Sequence, residues 1–179
     1  MDALKALESR KSVRGYQDRA VEQEILERVA AAANQAPNAG PFQVTVIRDK
    51  EYLQQINDAA LLAMKNSGND FLLSRANLPG YQPLYGAPVL TLVSAPDGPY
   101  SQANAACAAT AMTLAAVDLG LGSCYIVTPT LALDGQNELS AKLSLPEGFK
   151  PICGVLLGYA GEEGYPAHRE RTSNINFVE

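Results

Sequence analysis

The amino-acid sequence predicts an α+β fold of three layers, in which helices cover both faces of a central sheet. Two strand-like segments, residues 89–93 and 152–158, are apolar at almost every position, as strands are when both faces of their sheet are buried. Helical and strand segments also follow one another irregularly, unlike the regular alternation of a parallel βαβ fold. The 179 residues suffice for one full core, so we expect a single domain over residues 1–179.

The first half of the chain is predicted to contain three helices and one strand. Its apolar residues recur at helical spacing in a short helix over residues 1–9, in a second over 21–33 that ends before Pro37, and in a third over 51–65. Residues 42–48 alternate between the two faces and are rich in β-branched side chains. This pattern is typical of a strand.

Residues 66–86 interrupt this regularity, because glycine and proline recur among aromatic and aliphatic residues. Such a long irregular segment is often a lid over a substrate site. The alternative is a surface excursion that is packed by its own aromatic residues. The sequence leaves both interpretations open.

The second half begins with the buried strand at residues 89–93 and continues with a long helix. Ser101 can cap the start of this helix, and Gly120 and Gly122 end it. The remaining predicted elements are a third strand at residues 123–127, a short helix at 136–143, a fourth and central strand at 152–158, and a last short strand at 175–178.

The long helix is rich in alanine and apolar nearly all round. A helix of this kind must be buried on most sides, and its small side chains allow another helix to approach closely. In a chain of this size a second subunit is a natural source of that cover. We therefore expect a homodimer.

Composition excludes several classes of function. The net charge of −5 and the isoelectric point near 4.9 argue against nucleic-acid binding, because phosphate backbones attract clustered Lys and Arg. The start of the chain lacks the pattern of a signal peptide, and its most apolar stretch, residues 105–117, is too short and too alanine-rich to span a bilayer. We expect a cytoplasmic protein with no membrane contact.

Residues for acid–base or metal chemistry are scarce. The three cysteines, Cys107, Cys124 and Cys153, form no CxxC pair, so we expect reduced and mostly buried thiols and no metal site. The single histidine, His168, lies in a polar tail, which makes a catalytic triad improbable. No GxGxxG loop follows a strand and no P-loop is present. An enzyme with no evident catalytic side chain would import its chemistry in a cofactor.

The most distinctive string is residues 10–16, Arg-Lys-Ser-Val-Arg-Gly-Tyr. Arg10 can present a planar fork of N–H donors to two phosphate oxygens, Lys11 adds a point charge, and the Ser12 hydroxyl can donate to a third oxygen. The alternative is that Arg10 and Lys11 lie in the last turn of the first helix and complement its dipole. The charge pattern alone does not decide between these interpretations.

The order of the residues in this string resembles the N-terminal signature of the FMN-dependent nitroreductase family. Further strings resemble the family in the same order, at residues 36–40, 85–88 and 118–126 and in the pair of Arg169 and Arg171. The resemblance implies the family's three-layer α-β-α fold, with a mostly antiparallel central sheet and a long buried helix at a homodimer interface that forms two sites.

The resemblance also assigns residues to an FMN site. One group holds the phosphate and ribityl chain, a loop reaches the cofactor from the partner subunit, and the backbone of a strand end lies beside flavin N5 and O4. Arg14 would face the N1 and O2 edge of the flavin and tune it electrostatically. The three groups are Arg10, Lys11, Ser12, Arg169 and Arg171; Pro37, Asn38, Ala39 and Gly40; and Tyr125, Ile126 and Val127.

For function, the resemblance implies an FMN-dependent oxidoreductase that takes hydride from NADH or NADPH onto flavin N5. The enzyme would then reduce a nitroaromatic, quinone or similar small-molecule acceptor by a ping-pong mechanism. A second hypothesis gives FMN a binding, storage or sensing role, because no side chain is an obligatory proton donor. A third has no flavin and treats the chain as a dimeric scaffold whose basic turn is a structural cap.

Overall fold

A computed structural model of the chain describes residues 2–134, 137–161 and 174–178. The described elements, in chain order, are helix α1 (Ala3–Ser9), helix α2 (Gln23–Ala32) with a 3₁₀ turn (Ala33–Gln35), strand β1 (Gln43–Ile47), helices α3 (Lys50–Lys65) and α4 (Asp70–Ala76), strand β2 (Val89–Pro96), helix α5 (Ser101–Asp118), strand β3 (Gly122–Ile126), helices α6 (Thr130–Leu133) and α7 (Glu138–Ala141), and strand β4 (Phe149–Gly158).

The four strands form one sheet in the order β1-β2-β4-β3, and every neighbouring pair is antiparallel. Strand β4 pairs with both β2 and β3, which confirms its predicted central position. Strand β3 lies at an edge of this sheet.

Two apolar cores lie on opposite faces of the sheet. Along β2, Val89 and Val93 contribute to the core beneath α2 and α5, whereas Leu90 and Leu92 contribute to the core beneath α3 and α6. Successive side chains of a strand point to opposite faces, so one buried strand supplies both cores. The predicted α+β class and its three layers are confirmed.

Helix α5 ends in a tight turn that delivers the chain directly into β3. The N–H of Leu121 donates to the carbonyl of Ala116 at 2.8 Å, and the N–H of Gly120 donates to that of Val117 at 3.1 Å. Gly120 has a φ of 77°, which a glycine adopts without steric cost. This Schellman-type ending confirms Gly120 as the predicted end of the helix.

The start of α5 differs from the prediction. Ser101 is the first residue of the helix, and its hydroxyl donates to the carbonyl of Pro96 at 2.6 Å. The cap position belongs to Tyr100, which forms no capping hydrogen bond with its side chain. The hydroxyl therefore ties the helix to the end of β2 and does not cap its first turn.

Burial of α5 is less complete than predicted for a single chain. Met112, Ala109 and Ala116 are fully buried, but Ala103 and Cys107 lie on a face that is exposed. No helix of the described part of the chain is long and apolar enough to cross a membrane.

The segment at residues 66–86 contains helix α4, which the prediction missed. Asn69 accepts from the N–H of Leu72 and caps this helix, although the surrounding glycines obscured the signal. Tyr81 is buried against Met64 and Ala76. The segment thus has the packing expected of an excursion held by its own aromatic residues.

The predicted last strand at residues 175–178 is wrong for the described chain. Residues 174–178 form no strand, and the side chains of Ile175, Phe177 and Val178 are exposed. A strand requires backbone pairing, and no neighbouring strand of the described chain supplies it. Smaller differences concern α6, which was not predicted, and α7, which is shorter than expected.

A pair of glycines lets the N-terminal stretch pack against the end of the sheet. Gly122 on β3 lies opposite Gly158 on β4. A Cβ atom on Gly122 would lie 2.9 Å from a methyl group of Val13, and one on Gly158 would lie 2.8 Å from the Tyr16 ring and 2.7 Å from Pro88. Larger residues at either position would push the stretch outward.

We predict that Gly158→Ala lowers the free energy of unfolding by about 1–3 kcal/mol, the usual cost of overpacking. Urea denaturation measures this change. Gly98→Ala is the matched control, because its added Cβ meets only the Ser101 hydroxyl, at 3.2 Å. Equal urea midpoints for the two variants would show that close packing of Tyr16 against Gly158 does not matter for stability.

Candidate functional site

The cationic stretch, residues 10–16, continues the sheet beyond the edge of β3. Ser12 forms a parallel bridge with Ser123, and the N–H of Val13 donates to the Ser123 carbonyl at 2.9 Å. Tyr16 forms a second bridge, with Ala160 just after β4. The stretch is therefore fixed to the sheet near both of its ends.

Two further hydrogen bonds close the turn within this stretch. The hydroxyl of Tyr16 donates to the carbonyl of Val13 at 2.9 Å. The N–H of Gly161 donates to the carbonyl of Gly15 at 3.0 Å. The side chains of the stretch thus project from a backbone that is held in place by the chain's own hydrogen bonds.

The helix-dipole interpretation of Arg10 and Lys11 is not supported. Helix α1 ends at Ser9, so both cations lie beyond its last turn. Arg10 caps the helix with its backbone, since its N–H donates to the carbonyl of Ala6 at 3.0 Å. Its guanidinium is left for another role.

The cations of the stretch have no acidic partner in the part of the chain that the structure describes. No described carboxylate lies within 4.0 Å of Arg10, Lys11 or Arg14. Cations elsewhere do form such pairs, for example Arg19 with Glu22 at 3.0 Å. Three unpaired cations and a serine hydroxyl are a donor set suited to a phosphate group.

The groups beneath the cationic stretch are uncharged. Burial raises the pKa of the Cys124 thiol, and Arg14, Ser12 and Arg10 oppose this effect only in part. Burial also raises the pKa of Tyr16 well above its ordinary value. Because both groups stay protonated at neutral pH, the stretch keeps its full positive charge.

Cys124 is a site residue that the sequence did not indicate. It is 3% exposed and faces the α3 core, with its neighbour Ile126. Only the alternation of β3 predicts this orientation, and the contact with Ser12 depends on the parallel bridge. No local pattern in the sequence predicts that bridge.

The loop of Pro37, Asn38, Ala39 and Gly40 lies elsewhere. Its anchor is Asn104, whose side-chain carbonyl accepts from the N–H of Ala39 at 3.1 Å. Asn104 is 7% exposed, and an amide side chain among the alanines at the start of α5 is the signal that could have identified it. Asn38 donates to the carbonyl of Ala36 at 3.3 Å, a local bond that shapes the loop.

The structure does not bring this loop to the cationic stretch of the same chain. Asn104 lies twelve residues before Ala116, so the loop is anchored about 18 Å along α5 from the turn that precedes β3. Arg14 lies near Cys124, whose side chain is on the α3 face. The loop lies on the α5 face, so the sheet separates the two.

The predicted strand end, Tyr125, Ile126 and Val127, lies at the other end of β3. The side chain of Ile126 is buried in the core, so only its backbone can face a ligand. Tyr125 and Val127 are exposed. Burial and the neighbouring Cys153 thiol raise the pKa of Tyr125 to about 12, so this phenol is neutral. Val127 follows the strand directly.

Two predicted residues, Arg169 and Arg171, lie outside the described residues. A cavity of about 1030 Å³ also gives no support to the site, because it lies between α7 and the start of β4. Its lining includes Asp134, Glu138 and Glu147, which would repel a phosphate. The cationic stretch is therefore identified as the candidate site by its positive charge and not by the volume of a cavity.

Known proteins resemble this chain in sequence. The sequence profile of the Nitroreductase family matches residues 7–159. A protein of Methanothermobacter thermautotrophicus, whose name proposes NADH dehydrogenase or NAD(P)H nitroreductase activity, is 29% identical over 172 residues, which cover 90% of this chain and 79% of that protein.

Solved structures share the fold over the full length. A nitroreductase with bound FMN from Bacteroides fragilis has a TM-score of 0.87 at 27% identity and covers 100% of both chains. Another with bound FMN, from Desulfitobacterium hafniense, has a TM-score of 0.89 at 28% identity and covers 100% of this chain and 99% of that one. With a family profile that spans most of its length and FMN-bound neighbours of the same fold, this chain belongs to the nitroreductase family.

Proposed function

We propose that this protein is an FMN-dependent oxidoreductase that uses NADH or NADPH as its electron donor. The observation that carries the proposal is the cationic stretch, which is fixed along β3 with no acidic partner in the described chain. The FMN-bound neighbours support the choice of cofactor. Bound FMN supplies hydride acceptance at N5 and electron transfer to a nitroaromatic, quinone or similar acceptor in a ping-pong cycle.

The phosphate and ribityl chain of FMN would be held by Arg10, Lys11 and Ser12. A guanidinium can donate two parallel hydrogen bonds to phosphate, and a serine hydroxyl can add a third. Arg169 and Arg171 complete this group in the proposal. The uncharged thiol and phenol beneath the stretch support it, because they leave the positive charge unopposed.

Arg14 would face the N1 and O2 edge of the flavin. Its guanidinium would stabilise the negative charge that reduction at neutral pH places over that edge, more than it stabilises the oxidised ring. Arg14 therefore tunes the midpoint potential and contributes little to phosphate affinity.

A homodimer accounts for the features that one chain leaves incomplete. The exposed face of α5, with Ala103 and Cys107, would be covered by a second copy, and so would the apolar side chains of residues 174–178. The loop at residues 37–40, which lies across the sheet from Arg14 in one chain, would reach the cofactor of the partner subunit.

A second candidate is a protein that binds, stores or senses FMN without turnover. It is favoured by the neutrality of Cys124 and Tyr16, the titratable groups that lie beneath the cationic stretch in the part of the chain that the structure describes. Steady oxidation of NADH or NADPH with a quinone or nitroaromatic acceptor separates the two functions.

We predict that the purified protein is yellow, that its flavin is FMN, and that Arg10→Ala weakens FMN binding by about 1.5–3 kcal/mol, as expected for a hydrogen bond to a charged group. Fluorescence titration of flavin-free protein measures the dissociation constant. Arg28→Ala, at an exposed position of α2, is the control and should bind as the wild type does. A wild type that takes up no added FMN would refute the proposal.

We predict that the wild-type protein sediments as a dimer and that Cys107→Glu shifts it toward monomer with loss of flavin, because the substitution places a charge in the proposed interface. Leu62→Glu, at an exposed position of α3, is the control and should remain dimeric. Analytical ultracentrifugation reports both. A wild-type monomer that retains FMN would contradict the dimer and the placement of the loop.

We predict that Arg14→Gln lowers the flavin midpoint potential by about 30–65 mV, which corresponds to a loss of about 1.4–3 kcal/mol for a two-electron couple. FMN affinity should change little, because the phosphate contacts remain. A dye-equilibrated redox titration measures the potential of both proteins. An unchanged or higher midpoint would mean that Arg14 does not face the flavin ring.

A further inference from the structure

Tyr85 has a backbone conformation that tyrosine seldom adopts. Its φ is 52°, the following Gly86 has a φ of 68°, and the N–H of Ala87 donates to the carbonyl of Leu84 at 2.9 Å to close the turn. The left-handed region costs a residue with a Cβ about 1–2 kcal/mol. Strained residues cluster at functional sites, so this conformation marks Tyr85 as a candidate functional residue.

The turn places the Tyr85 ring in contact with both a cation and a second aromatic ring. The guanidinium carbon of Arg14 lies 5.9 Å from the ring centroid of Tyr85. The Tyr81 and Tyr85 rings meet edge to face, with centroids 6.0 Å apart. Arg75 lies over the Tyr81 ring at 5.3 Å. The segment at residues 66–86 is thus in contact with Arg14 through Tyr85.

The ring of Tyr85 orients Arg14 without reducing its charge. No described carboxylate lies within 4.0 Å of Arg14, and its neighbours Tyr16 and Cys124 are neutral. A carboxylate would orient the guanidinium but would also neutralise it and occupy its N–H donors. An aromatic face attracts the cation electrostatically and leaves those donors available.

We propose that Tyr85 is a positioning residue, which holds Arg14 through its aromatic face so that the guanidinium is directed at the negative edge of the reduced cofactor. This inference rests on the proposed function, because it assigns to Arg14 the role given there. It adds to the proposed site a residue that lies outside the cationic stretch, in a turn whose backbone is strained.

The test compares Tyr85→Gly, Tyr85→Phe, Arg14→Gln and the double variant Arg14→Gln/Tyr85→Gly. Glycine adopts a positive φ without strain, which favours the native turn while the ring is removed. Phenylalanine keeps the ring and removes only the hydroxyl. Arg75→Gln is the matched control, because Arg75 lies over the Tyr81 ring and hydrogen-bonds to Tyr85, so the substitution perturbs the same cluster while the Tyr85 ring and Arg14 both remain.

The first readout is the midpoint potential of the bound flavin. We expect Tyr85→Phe and Arg75→Gln to match the wild type, and Tyr85→Gly to lower the potential by less than Arg14→Gln does. A threefold to tenfold weaker preference for reduced over oxidised flavin is a shift of about 15–30 mV. In the Arg14→Gln background, Tyr85→Gly should cause no further shift, because the residue through which Tyr85 acts is gone.

The second readout needs no cofactor. In flavin-free protein, ¹⁵N relaxation of the Arg14 Nε–H group should show an ordered side chain in the wild type and in Tyr85→Phe, and a mobile one in Tyr85→Gly. Equal order in all three would overturn the positioning role, and so would a shift of potential by Tyr85→Gly that persists without Arg14. If Arg14 is ordered by Tyr85 but Arg14→Gln leaves the potential unchanged, then the flavin-tuning role of Arg14 fails while the contact stands.

Discussion

The backbone pairing of Ser12 and Val13 with Ser123 is the interaction on which the site depends. This pairing adds a short segment to the edge of β3 and fixes the direction in which Arg10, Lys11 and Arg14 project. It is possible only because Gly122 and Gly158 leave room for Val13 and Tyr16 at the end of the sheet. The arrangement of the cations is therefore decided by packing that involves none of their own charges.

Electrostatics then determine what the arrangement can bind. Desolvation of Cys124 and Tyr16 favours their neutral forms, so neither adds negative charge to the cationic stretch in a protein whose net charge is −5. A local basic site in an acidic chain attracts a compact anion, whereas it offers no extended surface for a nucleic acid. The aromatic contact between Tyr85 and Arg14 fits the same logic, because it orients a cation without neutralising it.

Apolar patterning predicted the four strands, five of the helices and the three layers, because these depend on burial, which repeats along the chain. It failed where the role of a residue depends on one specific hydrogen-bond or packing partner. Ser101 was expected to cap α5, but the carbonyl of Pro96 binds its hydroxyl. Asn104 and Cys124 were missed, since their roles come from contacts with Ala39 and with the cationic stretch, which are distant in sequence. The strand expected at residues 175–178 lacks a pairing partner in the described chain.

A crystal structure of the protein, grown with FMN, tests the central claim most directly. The account predicts density for a phosphate group within hydrogen-bonding distance of the Arg10 guanidinium and the Ser12 hydroxyl, with the flavin ring extending along β3 past Arg14. Flavin density at a position that leaves Arg10 and Ser12 without a phosphate contact would contradict the account, and so would clear density for the cationic stretch with no flavin bound at saturating concentration.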